Sequence, residues 1–376
     1  MIRLIRTIIL ASLMISACAG FAAAQNVRSA SEEKHEWTWQ WRDNGVSLEM
    51  KVRGKVEFND DYTDVVSISP GGSLRIKDER GGRTRRIEIT AAGDGSLIRT
   101  YSLDGQTRPY DNEGREYLAR ILNEATQQAG LDAVPRARKI LSRRGASGLL
   151  DETSKIRGDY VKRIYLQELI KSGQLDAQTA RRMIDQVARE ITSDYEKAQT
   201  LIKLADSPID RVVWSAAYIE ATRSITSDYE RKRTLSALLG KGNLSRDELA
   251  LAIKAASEIT SDYEKAETLI KLSQGPNDKS DWSAAYIEAT RNISSDYEKA
   301  RVLMTLLTKA NLSREELVLV VKSVSSMSSD YEKARVLIKV TSVAAGDEAV
   351  RGAVTDAARA MSSDYERERV MRAASR

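Results

Sequence analysis

The sequence predicts an α+β chain in two parts, a small antiparallel β domain followed by an α-solenoid of 34-residue helical hairpins. Three observations carry this expectation. Polar and apolar side chains alternate from about Trp37 to Tyr110, between closely spaced turn signals. At Asp111 the period changes to that of an amphipathic helix. From residue 191 the phrase "ITSDYEKAQTL" returns as "ITSDYERKRTL", "ITSDYEKAETL", "ISSDYEKARVL", "MSSDYEKARVL" and "MSSDYERERVM".

Residues 1–24, "MIRLIRTIILASLMISACAGFAAA", place two arginines before an apolar run that ends in small residues. This is the pattern of a secretory signal peptide, and cleavage after Ala24 would start the mature chain at Gln25. The alternative is "ISAC", residues 15–18, in which Cys18 would be the lipidated residue of a lipobox. Either reading takes the protein out of the cytoplasm, as a periplasmic or secreted protein or one lipid-anchored at Cys18. No later run approaches the length of a membrane span. The formal net charge is +5 over 376 residues, and Arg3 and Arg6 supply two of those charges. The remainder is too slight and too evenly spread to predict nucleic-acid binding. Cys18 is the sole cysteine and His35 the sole histidine. The cleaved chain would hold no disulfide, and His-pair metal motifs are excluded.

Residues 25–111 form the expected β domain. "EWTWQWRD" alternates strictly, so Trp37, Trp39 and Trp41 share one face of a strand. "VSLEMKVRGKVEF" and "SLRIKDERGGRTRRIEIT" continue the period, and turn signals fall at Asn44-Gly45, Pro70-Gly71-Gly72, Gly81-Gly82, Gly93-Asp94-Gly95 and Asp104-Gly105. A meander of about six strands follows, as a curled sheet or open barrel. The three tryptophans are read as its core; the alternative is an aromatic platform for a glycan or peptide. Residues 112–157 are expected to be a helical connector. "NEGREYLARILNEATQQAG" places Tyr117, Leu118, Ile121, Leu122 and Ala125 on one side, and Pro135 breaks the chain before two shorter helical pieces.

Residues 158–376 are the expected solenoid, of about six to seven repeats. Tyr195, Tyr229, Tyr263, Tyr297, Tyr331 and Tyr365 are each 34 residues apart, and Tyr160 in "RGDYVKR" belongs to a divergent first copy. The phrase reads as a helix start. Ser193 serves as N-cap and Glu196 reaches back to it, a capping box repeated by Ser227/Glu230, Ser261/Glu264, Ser295/Glu298, Ser329/Glu332 and Ser363/Glu366. Asp194 adds a negative charge at the positive end of the helix dipole. Tyr195, Ala198, Leu201, Ile202 and Ala205 fall at helical spacing as the expected buried stripe. The tyrosine is thus read as a packing residue, with an exposed binding row as the alternative. Second helices are expected to start at Ser207-Pro208, at Ser245/Glu248 and at Ser313/Glu316, giving two helices of about 12–15 residues per unit. "WSAAYIEATR" recurs at 214–223 and 282–291, and "NLSR" at 243–246 and 311–314, so a two-hairpin block of 68 residues was doubled.

The repeat length equals that of the tetratricopeptide repeat, whose Trp-Leu-Gly-Tyr pattern is missing. "FNDDYTD" clusters Asp60, Asp61 and Asp64 but lacks the alternation of a calcium loop and reads as a turn. GxSxG, phosphate-loop and HExxH motifs are all absent, so neither an enzyme nor a cofactor is expected. "GKVEFNDDYTDVVSISPGGSLRIKDERGGRTRRIEIT", "YSLDGQTRPYD" and "IRGDYVKRIYLQELI" together resemble the extracytoplasmic β-sheet and "SDYE" repeat region of BlaR1/M56-type membrane sensor-peptidases. The resemblance spans roughly residues 54–376 and implies a free-standing periplasmic sensing or docking module. The peptidase's membrane bundle and HExxH are missing, so no catalytic residue carries over. The expected function is a non-enzymatic interaction protein with a protein partner in the cell envelope. The alternative is a ligand or cell-wall glycan sensor acting through the β domain.

Overall fold

The computed structural model describes residues 27–31, 36–43, 45–242, 244–275, 282–309, 311–344 and 346–375. The expected cleavage site after Ala24 and Cys18 lie outside the described residues. The chain forms an antiparallel β domain followed by a helical repeat array, in two compact units that divide between Asn123 and Glu124.

The first unit holds strands β1 (Val27–Ser31), β2 (Glu36–Asp43), β3 (Val46–Arg53), β4 (Val56–Phe58), β5 (Val65–Ile68), β6 (Ser73–Arg80), β7 (Arg83–Ala91), β8 (Leu97–Leu103) and β9 (Gln106–Arg108). Seven of them make one antiparallel sheet in the order β1-β2-β3-β6-β7-β8-β9, and β4 and β5 pair separately. The expected six strands become nine because β1, β5 and β9 are short and lack a clear apolar alternation. The hairpin turns form where the dipeptides placed them. Gly81 and Gly82 have φ of +56° and +75°, and Asp104 and Gly105 have +51° and +81°, the mirror-image turns that match strand twist.

Register carries one apolar row across the sheet. Trp39 lies opposite Met50, Met50 opposite Ile76, Ile76 opposite Ile87 and Ile87 opposite Tyr101, and all five are buried. Helix α1 (Asn112–Glu124) belongs to this unit and packs on that face, although the change of period suggested the start of a connector. Its Tyr117 ring lies 6.0 Å from that of Tyr101, whose hydroxyl donates to Glu113 at 2.9 Å. Beneath it Asp78, also buried, accepts from Arg80 at 2.7 Å and faces Arg120 at 3.7 Å.

The second unit opens with one π turn over Ala125–Ala129, then α2 (Ala133–Thr153). Pro135 does not break this helix, because it stands in the first turn, where a missing N–H costs no intrahelical bond. The interruption lies instead at Gly145, with φ of +65°. Helices then alternate between two layers. Layer A comprises α3 (Asp159–Ser172), α5 (Asp194–Ala205), α7 (Asp228–Leu239), α9 (Asp262–Ser273), α11 (Asp296–Lys309), α13 (Asp330–Ala344) and α15 (Asp364–Ala374). Layer B comprises α4 (Ala177–Glu190), α6 (Ser215–Thr222), α8 (Arg246–Ser257), α10 (Ser283–Ala289), α12 (Arg314–Ser325) and α14 (Glu348–Arg359). Each helix packs on the next of its own layer and on the other layer, as a stacked solenoid does.

The 68-residue period appears in layer B. α8 and α12 begin with complete capping boxes, Ser245/Glu248 and Ser313/Glu316. α6 and α10 are only 8 and 7 residues long, shorter than expected. α6 starts at Ser215, directly after Trp214, rather than at Ser207-Pro208. The buried Trp214 and Trp282 rings pack on Tyr218 and Tyr286, with centroids 5.5 and 5.2 Å apart.

The layer A helix starts are built differently from the expected capping boxes. Each serine does cap its helix; Ser193 accepts from the Glu196 N–H at 3.4 Å, and Ser227, Ser261, Ser295, Ser329 and Ser363 repeat the bond. The other half of the box is missing. The side chains of Glu196, Glu230, Glu264, Glu298, Glu332 and Glu366 do not reach back to their serines, because each serine N–H is already taken. Ser193 N–H donates to Asp159, the aspartate of the preceding copy, at 2.8 Å. Ser227 donates likewise to Asp194, Ser261 to Asp228, Ser295 to Asp262, Ser329 to Asp296 and Ser363 to Asp330, all at 2.7–2.8 Å. The residue before each serine donates its own N–H to the same carboxylate. One aspartate therefore clamps two backbone donors of the next repeat.

The glutamates pair with cations instead. Four use the arginine three residues on in their own helix. Glu230 pairs with Arg233 at 2.7 Å, Glu298 with Arg301 at 2.6 Å, Glu332 with Arg335 at 2.7 Å and Glu366 with Arg369 at 2.7 Å. Glu196 and Glu264 have Gln199 and Glu267 at that position and reach across repeats, to Arg163 and, at 2.9 Å, to Lys232. Two lysines of the phrase also cross. Lys197 Nζ donates to the Ser224 carbonyl at 2.7 Å and Lys265 Nζ to the Asn292 carbonyl at 2.5 Å, each just past the end of a layer B helix. The first copy lacks the serine because its backbone lies against the preceding turn. A Cβ on Gly158 would stand 2.9 Å from the Gln128 carbonyl oxygen.

The clamp can be tested by substitution and by acid. Asp262→Ala orphans the Ser294 and Ser295 N–H groups and should cost about 2 kcal/mol, the scale of a hydrogen bond to a charged group. Asp364 clamps nothing among the described residues and is 89% exposed, so Asp364→Ala should cost clearly less in the same urea melts. Acid should also loosen the array. The Ser363 N–H holds the Asp330 carboxyl below its usual range. Burial pushes Asp228 upward, and the Thr260 and Ser261 donors outweigh it, so this carboxyl too is held low. Depressed folded-state values give stability that is complete above the unfolded value of about 3.9 and is lost as pH falls through the folded values. Asp228→Asn/Asp330→Asn should shrink the drop in urea midpoint between about pH 6 and pH 2.5.

Candidate interaction surface

Within each layer A helix the apolar stripe is narrower than the spacing suggested. Ala198, Leu201, Leu204 and Ala205 are buried, whereas Ile202 is only partly covered. Tyr195 is 52% exposed, and Tyr229, Tyr263, Tyr297, Tyr331 and Tyr365 lie between 53% and 68%. The expectation of a buried packing tyrosine is therefore overturned. At about 100° per residue, Tyr195 falls to the side of Ala198 away from Leu201 and Leu204. Those residues meet the neighbouring helices, so the ring is turned out with Gln199 and Ile202.

The outward face of layer A thus carries parallel rows. The tyrosines form the first. One turn on, Arg233, Arg301, Arg335 and Arg369 place their guanidinium carbons 5.6–5.9 Å from the centres of the Tyr229, Tyr297, Tyr331 and Tyr365 rings. The ion pairs with Glu230, Glu298, Glu332 and Glu366 hold these arginines beside the rings. Lys232 Nζ stands 5.1 Å from the Tyr229 ring centre. Partly buried Ile202, Ile270, Met304 and Ile338 form a third row. Beside it stand Lys203, Lys271 and Lys339, 68 residues apart, whose ammonium groups make no hydrogen bond or ion pair among the described residues. A hollow of about 430 Å³ opens among α5, α7 and α9, lined by Ile202, Lys232, Arg233, Glu267 and Lys271.

The tryptophans of β2 do not form such a surface. Trp39 and Trp41 lie opposite Met50 and Leu48, residues of the buried sheet face, and Trp39 is itself 1% exposed; Trp37 and Trp41 are half-buried on the same side. Asp60, Asp61 and Asp64 sit in a turn in which Asn59 Oδ1 accepts from the Thr63 and Asp64 N–H groups at 2.7 and 3.1 Å. Among the described residues, no cluster of His, Cys, Asp or Glu could hold a metal ion, and no helix is long and apolar enough to cross a membrane.

No family model, curated protein or solved structure matches the chain. The surface is therefore read from its own chemistry. What sequence reasoning missed is the clamp, and a signal for it was present. "RGDYVKR" keeps Asp159 and Tyr160 while losing both the serine and the glutamate of the supposed box. A residue needed only for its own helix's capping box would have been lost with the box.

Two tyrosine types should separate in a melt. Tyr286 is fully buried beside Trp282, so Tyr286→Ala should cost about 3 kcal/mol or more. Tyr263→Ala should stay within about 0.5 kcal/mol of wild type, as surface changes do. Tryptophan emission and far-ultraviolet circular dichroism, followed together, would check both.

Proposed function

We propose that the chain is a non-enzymatic docking protein that binds an extended segment of a partner protein across the outward face of layer A. One observation carries this reading. The serine, aspartate and glutamate of the phrase are used in caps, clamps and ion pairs, and Lys197 and Lys265 bond neighbouring carbonyls, while the tyrosine in all six copies from Tyr195 to Tyr365 is turned to solvent with no such task; only Tyr160 of the divergent first copy is partly buried. Tyrosine and arginine are the residue types over-represented at binding hot spots, and they alternate here along neighbouring helices. Neighbouring helices stand about 8–10 Å apart, close to three residues of an extended chain at about 3.3 Å each. A segment in polyproline II form, with three residues per turn and a similar rise of about 3.1 Å per residue, could therefore cross the array and meet one tyrosine with every third side chain. The leader-like residues 1–24 and the resemblance to a sensor-peptidase module favour a partner in the cell envelope.

The test is a triple variant, Tyr229→Ala/Tyr263→Ala/Tyr297→Ala, compared with wild type as bait in envelope extract. It should melt as wild type does and lose the captured partner at least tenfold. Capture that survives the triple substitution would remove the tyrosine face from the account.

A further inference from the structure

The first unit carries a charged hollow that the docking surface does not use. Side chains alternate across the sheet, so the residues between Met50, Ile76, Ile87 and Tyr101 stand on the opposite face. There they line a hollow of about 480 Å³, a size that suits a small molecule.

Strand register sets like charges against each other twice in this hollow. Lys51 lies opposite Arg75, and Lys77 opposite Arg86. Like charges directly opposite destabilise a sheet. Arg75 with Glu88 and Asp78 with Arg85 are complementary pairs of the same two strands, and Arg80 opposite Arg83, at the hairpin end, is a further like pair outside the hollow. Three of the four cations find relief within the protein. Lys51 pairs with Glu49 at 2.5 Å, Arg75 with Glu88 at 2.6 Å and Lys77 with Glu79 at 2.6 Å. Arg86 does not; it acts on Glu79 only at a distance, and among the described residues its guanidinium makes no hydrogen bond or ion pair. Ser102 lies directly opposite Arg86, and Thr107 opposite Ser102. Neither hydroxyl has a hydrogen-bond partner among the described residues. A guanidinium and two hydroxyls thus stand in one row across three strands, each with unused hydrogen-bonding capacity.

We infer that this hollow binds a small ligand through an oxyanion group, a carboxylate or a phosphate, seated on Arg86 with Ser102 and Thr107. The planar guanidinium presents paired N–H donors that match such a group, and both hydroxyls can donate to it. The lining sets the cations Lys51, Arg75, Lys77 and Arg86 against the carboxylates Glu49 and Glu88, so it stays positive on balance, and the bound anion relieves the opposition of Lys77 and Arg86. This site does not depend on the docking reading of the solenoid.

Calorimetric titration of the full chain at low ionic strength, with inorganic pyrophosphate and with succinate separately, tests the inference. Saturable binding of at least one anion is expected, and the preferred probe distinguishes a phosphate from a carboxylate ligand. Arg86→Gln should weaken that binding at least tenfold, while Arg83→Gln, in the exposed hairpin outside the hollow, should leave it unchanged. The unliganded Arg86→Gln protein should melt at or above the wild-type temperature, because a like-charge pair has been removed. Absence of saturable binding by both anions would overturn the inference. So would unweakened binding in Arg86→Gln, or a lower melting temperature for that variant, which would make Arg86 a structural residue.

Discussion

The array depends on one carboxylate per repeat. The first N–H groups of any helix have no partner within it, and in a stack of helices they lie where the next repeat must pack. Here the aspartate at the first helical position turns away from its own helix and accepts the two N–H groups that open the next layer A helix. Each repeat thereby fixes the axial position of its successor through a charge-assisted bond rather than through apolar contact, which would tolerate sliding. The serine then caps its own helix, and the glutamate and lysine are free for ion pairs and for carbonyls of the neighbouring units.

That division of labour explains why the phrase is written so uniformly while layer B is not. Layer A repeats one interface, so its helix start cannot change without breaking the clamp on both sides. Layer B has two solutions, a capped helix of twelve residues as in α8 and a shorter one seated on a buried tryptophan as in α6. Both fill the space between neighbours, and they alternate with the 68-residue block. Even these solutions are joined across repeats, since the Ser215 hydroxyl meets Glu248 and the Ser283 hydroxyl meets Glu316.

Much of this was legible in the sequence because it is periodic. The repeat, its length, the serine caps and the strand alternation follow from spacing, and the Gly81-Gly82 and Asp104-Gly105 turns follow from the φ they require. Partnership across repeats was not legible, because a helical wheel holds only one helix. On a single wheel Tyr195 sits at the margin of the apolar stripe and Glu196 within reach of Ser193. Only the neighbouring helix decides that the first is turned out and that the N–H wanted by the second is already taken by Asp159. The same holds for Glu230, Glu298, Glu332 and Glu366, each of which faces a serine whose N–H the preceding repeat has claimed. The hollow of the β domain was hidden for a similar reason. In sequence "ERGGRTRR", residues 79–86, is a basic stretch across a Gly-Gly hairpin turn, where charges normally face water; register sets its Arg86 against Lys77, which holds the nearby Glu79 for itself.

Native-state hydrogen exchange at the clamped serines tests the central claim most directly. If the aspartates hold successive repeats in register, the amide protons of Ser227, Ser261, Ser295 and Ser329 exchange as slowly as those in the interiors of α7 and α9, because both are released only when a repeat opens. Exchange of these four amides at the rate of exposed helix ends would show that the carboxylates do not hold them. The uniformity of the phrase would then need another cause.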